Sequence, residues 1–449
     1  MASKHILSKS TFMYGCQCPK RLYFHKFKSE LRNPDDEEQE SIFSTGTDIG
    51  LLARDLFPGG VSAEPPNAFS YHIAVEKTAR FIEQQQQVIY EAAFNFEGVL
   101  CVIDILIKKK NKWYAFEVKG STKVKDPFVM DASLQHYVIV NSGLPLCDIS
   151  IVHLNNQYIR MGKLDIQLLF ASKSILEEVL GNKDFIEQKI SELKGMLSEK
   201  KEPVIDVGDH CYIPYECDFT NHCWENVSKV VSVGKKNIDK ESIREFVDEL
   251  EYPLYFFDFE TIMPAIPEFD NSRSFQQIPF QYSLHIQKTT NGDLEHQEYL
   301  GNGIDDPREE LIKDLLSKIG KKGSIIVWHQ SFEISRLKEL ARDFPKYEKE
   351  LISLIDRVED LIVAFRKGWY SLPEFNGSAS LKSVLPAMIP ELSYDDLEIQ
   401  EGGTASLVYY QLRNQTPEIQ AQQRNHLLEY CKLDTLAMVK IWEKLNSLK

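Results

Sequence analysis

The stretch YFFDFET, residues 255–261, places two acids in a segment that otherwise has the composition of a buried β-strand. Aromatic residues favour strands. Because successive side chains of a strand point to opposite faces, Asp258 and Glu260 are predicted to share one face while Phe257 and Phe259 occupy the other. Ionised carboxylates are rarely buried without a compensating charge. A bound metal ion is the compensation that this pattern indicates.

The residues around this stretch predict an α/β domain over 250–449. Its strands are the apolar and aromatic segments, and its helices are the longer segments with apolar residues on one face. The predicted strands are 253–259, 280–287 and 323–329, and the predicted helices are 331–343 and 417–446. The polar, weakly patterned segment 229–249 is predicted to be a linker.

Residues 1–228 predict a first α/β domain by the same criteria. Its predicted strands are 88–96, 100–107, 112–118 and 146–154, and its predicted helices are 71–87, 131–142 and 172–200. A chain of 449 residues fits two or three domains of roughly 100–200 residues each. Its 43% hydrophobic and 27% charged residues are typical of a folded protein.

The composition argues against a membrane span and against nonspecific binding to nucleic acid. No uninterrupted apolar run approaches the roughly 20 residues that cross a bilayer, and the first residues lack the apolar core of a signal peptide. We therefore expect a cytoplasmic protein. The formal net charge is -15, whereas nonspecific binding depends on Lys and Arg neutralising phosphates. Divalent cations held by some of the acids would reduce the repulsion between this acidic chain and the phosphates of a nucleic acid.

Further candidate ligands follow the strand acids along the second domain. Glu333 stands where the segment IIVWHQSFEISRL passes from a strand into a helix. Tyr430 and Asp434 lie four residues apart, on one face of the last predicted helix. Asp360, in RVEDLIVAF, is an alternative ligand to Glu333, and His329 is a secondary candidate near the same site.

In this order the motifs resemble those of the DEDD exonucleases of the RNase H-like fold, in the subgroup that bears a tyrosine (DEDDy). The resemblance implies a site for two Mg²⁺ or Mn²⁺ ions, with Tyr430 helping to position the attacking water and with trimming of strands from their 3' ends. Its implied metal ligands are Asp258, Glu260, Glu333 and Asp434. The flanking segments FQYSLH, GSASLKSVLP, LSYDDL and YCKLDTLAM resemble an uncharacterised bacterial family that carries this core.

The first domain contains a second acidic motif. Asp104 lies on one predicted strand, and Glu117 and Lys119 lie two residues apart on the next. This pattern resembles the PD-(D/E)XK nucleases of the restriction-endonuclease-like fold, in which the acids bind one or two Mg²⁺ or Mn²⁺ ions and the lysine orients or deprotonates water. Further residues similar to those of RecB-like nucleases, including the CRISPR-associated exonuclease, are Glu91, Gln135 and Tyr137.

Four of the eight cysteines are spaced in a way that suggests a cofactor, because disulfides are not expected in a cytoplasmic chain. Cys18 precedes the first core, in CPKRLY, and Cys211, Cys217 and Cys223 follow it. This split arrangement resembles the iron-sulfur RecB-like nucleases and implies a [4Fe-4S] cluster. The same thiolates suit a tetrahedral Zn²⁺ ion, and Cys16 is an alternative to Cys18.

Together the two domains predict a metal-dependent nuclease, a hydrolase of phosphodiester bonds in DNA, with single-stranded DNA as the expected substrate. The second domain is predicted to be a 3'-5' exonuclease, and the first to provide a second, RecB-like site. One alternative is a non-catalytic adaptor that binds nucleic acid through a degenerate first domain. Another is an RNA-processing exonuclease, because neither core contains an obvious sugar-reading motif.

Overall fold

The computed structural model describes residues 6–34, 46–67, 69–225 and 236–448. The chain divides into two compact units, each a mixture of helices and strands. The N-terminal unit comprises Met1–Ser228 with Ala265–Ser274, and the C-terminal unit comprises Lys229–Pro264 with Phe275–Lys449. The short segment Ala265–Ser274 joins the N-terminal unit because Arg160 exchanges backbone hydrogen bonds with residues 271 and 272, at 2.9 and 3.0 Å.

The N-terminal unit is built on one seven-stranded sheet. Its strands are β1 (Leu7–Ser8), β2 (Val61–Ser62), β3 (Val88–Phe96), β4 (Val99–Lys109), β5 (Lys112–Lys119), β6 (Leu146–Leu154) and β7 (Phe170–Ser174). Its helices are α1 (Lys9–Gln17), α2 (Pro19–Phe27), α3 (46–53), α4 (Tyr71–Glu83), α5 (Asp126–Asn141), α6 (Ile166–Leu169), α7 (Leu176–Gly181), α8 (Lys183–Glu199) and α9 (Thr220–Trp224).

The strand order of this sheet is β2-β3-β4-β5-β6-β7, with β1 beside β4. Strands β3, β4 and β5 are successively antiparallel, whereas β5 and β6 are parallel and need the crossover helix α5 between them. Helix α5 packs on β3, β4 and β6 and contacts α8. The central strands are rich in Val, Ile and aromatic residues, which suit a sheet covered by helices.

The C-terminal unit is built on a five-stranded sheet with a small two-stranded sheet beside it. Its strands are β8 (Asn237–Ile238), β9 (Leu254–Ile262), β10 (Ile278–Gln287), β11 (Leu294–Leu300), β12 (Ile325–Val327), β13 (Val358–Asp360) and β14 (Tyr370–Ser371). Its helices are α10 (Lys240–Asp248), α11 (Arg308–Lys318), α12 (Gln330–Asp343), α13 (Glu348–Ile355), α14 (Val363–Arg366), α15 (Leu381–Met388), α16 (Gly402–Gln411) and α17 (Pro417–Asn446).

Strand β9 lies at the centre of the five-stranded sheet, in the order β11-β10-β9-β12-β13. It is antiparallel to β10 and parallel to β12. Phe257 and Phe259 belong to the apolar core that includes residues of α11, α12 and α13. Helices α16 and α17 also pack on β9. Because successive side chains of β9 point to opposite faces, Phe257 and Phe259 lie on one face of the sheet and Asp258 and Glu260 lie on the other.

Two segments differ from the sequence predictions. Residues 229–235 of the predicted linker lie outside the described residues, but its remainder contains β8 and α10. Helix α10 is capped by Asp239 and buries Ile243, Phe246 and Val247, an apolar stripe hidden in a polar stretch. The predicted helix 172–200 begins instead with the end of β7, because that edge strand pairs with β6.

The longest helix among the described residues is α17, with 30 residues. It carries charged residues along its length, and it packs on β9 and β10. Within the described residues, none of the helices combines the length and the apolar composition that crossing a bilayer requires.

Tight packing of α1 on α8 generates a test of the N-terminal core. A Cβ added to Gly15 would stand 2.4 Å from Cδ1 of the buried Leu193, whereas one added to Gly195 of α8 meets nothing within 4 Å. Both alanine variants gain about 1 kcal/mol of helix propensity. Only Gly15→Ala overpacks the core, so we expect it to be about 1–3 kcal/mol less stable than Gly195→Ala in denaturant unfolding. Equal stabilities would contradict this packing.

Candidate functional site

The acidic centre of the C-terminal unit consists of four carboxylates from three elements. Asp258 and Glu260 lie on β9, Glu333 lies in the first turn of α12, and Asp434 lies on α17. An oxygen atom from each of the two strand acids and the sulfur of Cys431 lie within 4.8 Å of one another. Strand alternation and helical spacing thus bring carboxylates that are far apart in sequence to one place.

The carboxylates of the acidic centre perturb one another's ionisation. Burial raises the pKa of Asp258 well above its usual value, and the charges of Glu333, Asp434 and Glu260 raise it further. Burial, Asp434 and Glu333 have the same effect on the pKa of Glu260. Burial raises the pKa of Glu333 to about 8 and that of Asp434 to about 7. At neutral pH the centre therefore holds protons that a divalent cation could replace.

Two tyrosines contact the carboxylate of Asp434. Tyr394 donates a hydrogen bond of 2.5 Å to Asp434 Oδ1, and Tyr430, one turn earlier on α17, is near enough to lower the pKa of this carboxyl group. The two rings lie 6.2 Å apart. Motif reasoning identified Tyr430 but missed Tyr394, which lies in the loop between α15 and α16. No spacing in LSYDDL relates this tyrosine to an acid 40 residues away.

The positive groups near the acidic centre do not balance its charge. Lys382 acts against burial on the pKa values of Glu260 and Asp434, but its ammonium lies over the Tyr394 ring, 6.0 Å from the centroid. Arg336 pairs with Glu339 at 2.9 Å. Within the described residues, Glu333 Oε2 is buried and has no hydrogen-bond partner. These clustered carboxylate oxygens fit a hard divalent cation such as Mg²⁺ or Mn²⁺.

The secondary candidates Asp360 and His329 lie where α12 begins. The Asp360 carboxylate accepts the backbone N–H groups of Gln330 and Ile362, at 3.2 and 3.3 Å. His329 is the residue before α12, is exposed, and contacts the Ser331 hydroxyl through Nδ1 at 2.9 Å. Both side chains therefore support the start of the helix that carries Glu333.

The lysine centre of the N-terminal unit surrounds Glu117 on β5, and we define it as Asp104, Glu117, Lys119, Lys9 and Asp131. Glu117 Oε1 accepts hydrogen bonds from the ammonium groups of Lys119 and Lys9, at 2.8 and 2.7 Å. Its Oε2 accepts a bond of 2.6 Å from Gln135 Nε2. Lys119 also contacts Asp131 Oδ2 at 2.5 Å. Both oxygens of this buried carboxylate are thus engaged.

The other predicted site residues of the N-terminal unit, Asp104, Glu91 and Tyr137, do not bind the Glu117 carboxylate. Asp104 Oδ2 accepts the backbone N–H of Val118 at 2.6 Å. Glu91 adopts φ 52°, a left-handed conformation that is uncommon for a non-glycine residue in a strand and is typical of functional sites. Its carboxylate pairs with Arg54 at 3.0 Å. Tyr137 packs against the apolar core and is not among the residues that contact Glu117.

Opposite charges stabilise the ionised forms of Glu117 and Lys119, whereas the ionised form of Asp104 is disfavoured. Burial raises the pKa of Asp104, and the charge of Glu117 adds to that effect. Burial would also raise the pKa of Glu117, but Lys119 and Lys9 outweigh it and hold the pKa well below its usual value. Burial would lower the pKa of Lys119, but Glu117 and Asp131 raise it. Lys119 therefore keeps its proton at neutral pH.

Lys9 and Asp131 were missed by motif reasoning. Asp131 precedes Gln135 by one helical turn on α5, and this i, i+4 spacing could have connected the two residues. Lys9 is 108 positions away from Glu117, and it reaches the site only because α1 packs on α5 and β4. No local sequence signal relates it to the motif.

The four predicted cysteines line a single pocket in the N-terminal unit: Cys18, Cys211, Cys217 and Cys223. Burial raises the pKa of the Cys217 thiol to about 11, which favours the protonated thiol unless a metal binds the sulfur. Cys16 packs instead against the apolar core, where burial raises its pKa to about 12. Of the two alternatives in the first helices, the structure brings Cys18 to the pocket.

Comparisons with known proteins identify uncharacterised relatives. Residues 255–380 match the model of a family described as "Domain of unknown function (DUF2779)". This segment contains Asp258, Glu260 and Glu333, and ends before Tyr430 and Asp434. The chain is also similar to "Uncharacterized protein MG366 homolog" of Mycoplasma pneumoniae, with 30% identity over 237 residues, 48% of this chain and 34% of that protein.

A second relative is "Uncharacterized protein UU173" of Ureaplasma parvum serovar 3. It is 32% identical over 209 residues, which cover 41% of this chain and 30% of that protein. The chain therefore spans about a third of the length of these curated relatives, 34% and 30%. The similarity supports an uncharacterised family and assigns no activity.

The raised pKa values of the acidic centre predict a pH-dependent response to metal. In the folded chain the pKa of Glu333 is about 8 and that of Asp434 is about 7, whereas both are about 4 in the unfolded chain. Between about pH 4 and pH 8 the folded chain therefore binds more protons than the unfolded chain. Its free energy of unfolding decreases as the pH rises through this range. Mn²⁺ needs the deprotonated carboxylates, so we expect the increase in melting temperature produced by Mn²⁺ to grow from pH 5.5 to pH 8.5.

Thermal unfolding with and without Mn²⁺ measures this response. Glu333→Gln is expected to weaken its pH dependence, whereas Asp356→Asn, an exposed change at the end of α13, leaves it intact. A Mn²⁺ effect that is independent of pH, or that is identical in Glu333→Gln, would contradict metal binding by these carboxylates.

Proposed function

We propose that this chain is a metal-dependent nuclease that hydrolyses phosphodiester bonds in single-stranded DNA. The acidic centre is its 3'-5' exonuclease site, and the lysine centre is a second nuclease site. The observation that carries the proposal is the convergence of four carboxylates from β9, α12 and α17 without an equal number of positive groups. Such a site needs cations, and cations held by carboxylates are suited to phosphoryl chemistry.

The two folds that we propose are RNase H-like for the C-terminal unit and restriction-endonuclease-like for the N-terminal unit. The central position of β9, with acids on one face and a parallel partner that leads into α12, supports the first assignment. The antiparallel strands β4 and β5, followed by the crossover helix α5 and the parallel strand β6, support the second. In each case the sheet places the predicted acids on neighbouring elements.

The residues of the acidic centre have distinct roles in this proposal. Asp258, Glu260, Glu333 and Asp434 would hold divalent ions, which when bound supply an activated water and charge stabilisation at the phosphate. Tyr394 fixes the orientation of Asp434 through its hydrogen bond. Tyr430, whose hydroxyl also reaches this carboxylate, orients the attacking water. Lys382 attracts a phosphate of the substrate towards the acids.

We propose that the cysteine pocket binds a [4Fe-4S] cluster. Zinc bound to four sulfurs at about 2.3 Å would place the sulfurs roughly 3.8 Å apart. Within the described residues, no three of these cysteine sulfurs lie within 4.8 Å of one another. In a cluster each cysteine binds a different iron, so wider spacing of the sulfurs suits it better than zinc.

Nuclease activity is tested by digestion of 5'-labelled single-stranded DNA with Mn²⁺. We expect wild-type protein to shorten the DNA stepwise from its 3' end and Asp258→Asn to slow this by about 10²-fold or more, because a ligand of the charge-stabilising ions is lost. Lys119→Met is expected to remove residual cleavage in the Asp258→Asn background. Asp356→Asn serves as the matched acid-to-amide control, since it is exposed.

The same assay separates the alternatives. Binding of DNA without cleavage, unchanged by Asp258→Asn and Lys119→Met, would identify a non-catalytic adaptor. Faster degradation of labelled RNA of the same sequence would identify an RNA-processing exonuclease. Equal digestion by all the variants would mean that neither centre performs the reaction.

The cofactor is tested by substituting the two neighbouring cysteines of the first helices. Cys18→Ser is expected to lose bound iron, acid-labile sulfide and visible absorbance, because Cys18 lines the pocket. Cys16→Ser is expected to retain them, because Cys16 packs against the apolar core. Iron and sulfide in equal amounts support the cluster, bound zinc supports the alternative metal, and equal loss in both variants would contradict the ligand set.

A further inference from the structure

Lys9 gives the lysine centre a second cation that no nuclease motif requires. Its ammonium lies 2.7 Å from Glu117 Oε1 and 3.5 Å from Asp131 Oδ2. Lys119 contacts the same two oxygens, at 2.8 and 2.5 Å. Two of the three carboxylates of the lysine centre, Glu117 and Asp131, are therefore matched by two ammonium groups.

The position of Lys9 is fixed by the fold. It is the first residue of α1, and the preceding strand β1 pairs with β4 at Val99 and Leu100. Ser8 and Thr11 form a capping box that fixes the start of the helix. Strand and cap together hold the Lys9 backbone beside the sheet, which limits the entropy lost when its side chain pairs with Glu117.

A divalent ion that binds Glu117 Oε1 must displace one of the two ammonium groups, because both lone pairs of that oxygen already accept hydrogen bonds. Gln135 occupies Oε2, and the two ammonium groups occupy Oε1. Lys9 is the more solvent-accessible of the two lysines, since its side chain is 27% exposed and that of Lys119 is 18% exposed. Lys119 is also held by the shorter contact to Asp131, which leaves Lys9 as the group that a metal ion displaces.

We propose that Lys9 is an internal counter-ion that competes with the divalent cation for Glu117. This inference rests on the proposed metal site of the N-terminal unit. It implies that the lysine centre binds metal more weakly than the acidic centre, whose four carboxylates form no lysine or arginine ion pair within the described residues. The two centres would then load at different concentrations of free cation.

Mn²⁺ binding to the full chain tests this competition without requiring activity. The acidic centre is first disabled by Asp258→Asn with Asp434→Asn, and binding is followed by isothermal titration calorimetry. In this background we expect Lys9→Met to tighten Mn²⁺ binding about tenfold, because no ion pair to Glu117 has to be broken. Lys9→Arg retains the charge and is expected to stay within about threefold of the parent. Lys112→Met, an exposed change on β5, is the matched control.

The outcomes separate this proposal from the proposed function. Mn²⁺ affinity that is unchanged or weaker in Lys9→Met, with the fold verified by circular dichroism, overturns the role of Lys9. Lys9→Gln serves as the second neutral variant if the methionine variant is unfolded. Adding Glu117→Gln to Lys9→Met is expected to abolish binding. Retained binding would place the ion elsewhere and overturn the metal site itself, whereas absence of nuclease activity alone would leave the competition intact.

Discussion

Repulsion among buried carboxylates is the constraint on which the C-terminal unit depends. Like charges in a low-dielectric site raise one another's pKa values, and desolvation adds to that cost. Asp258 and Glu260 are fixed by the central strand, so they cannot separate without breaking the pairing of β9 with β10 and β12. The repulsion can therefore be relieved only locally, by bound protons or by cations. The pairing of β9 on both sides therefore keeps the two acids close together despite their repulsion.

The N-terminal unit answers a similar constraint with lysines. Glu117 is more deeply buried than the acids of β9, but its pKa is lowered because two ammonium groups bind its Oε1 atom. A carboxylate that is already paired gains less from a metal than one that is not, since existing contacts must be given up first. Two centres with similar acids can therefore differ in their need for metal because of the charges around them.

The sequence predicted what depends on local periodicity. Alternation along β9 placed Asp258 and Glu260 on one face, and the spacing of Tyr430 and Asp434 placed both on one side of α17. Strands β3 and β6 have the predicted bounds, because both are apolar segments with clear limits. Lys9 and Tyr394 could not be found in this way. Their partners are fixed by tertiary packing, and a lysine or tyrosine in a helix or loop carries no mark of such a partner.

Helix α1 connects the two chemical features of the N-terminal unit. Lys9 begins the helix and Cys18 follows its last residue, so nine helical residues, about 14 Å, separate the lysine centre from the cysteine pocket. At the cysteine end, Gln17 donates hydrogen bonds to backbone carbonyls in the segment that carries Cys211, at 2.7 and 2.8 Å. Gly15 lets α1 lie directly on Leu193. Movement of α1 along its axis would therefore disturb both features, because Lys9 begins this helix and Cys18 directly follows it.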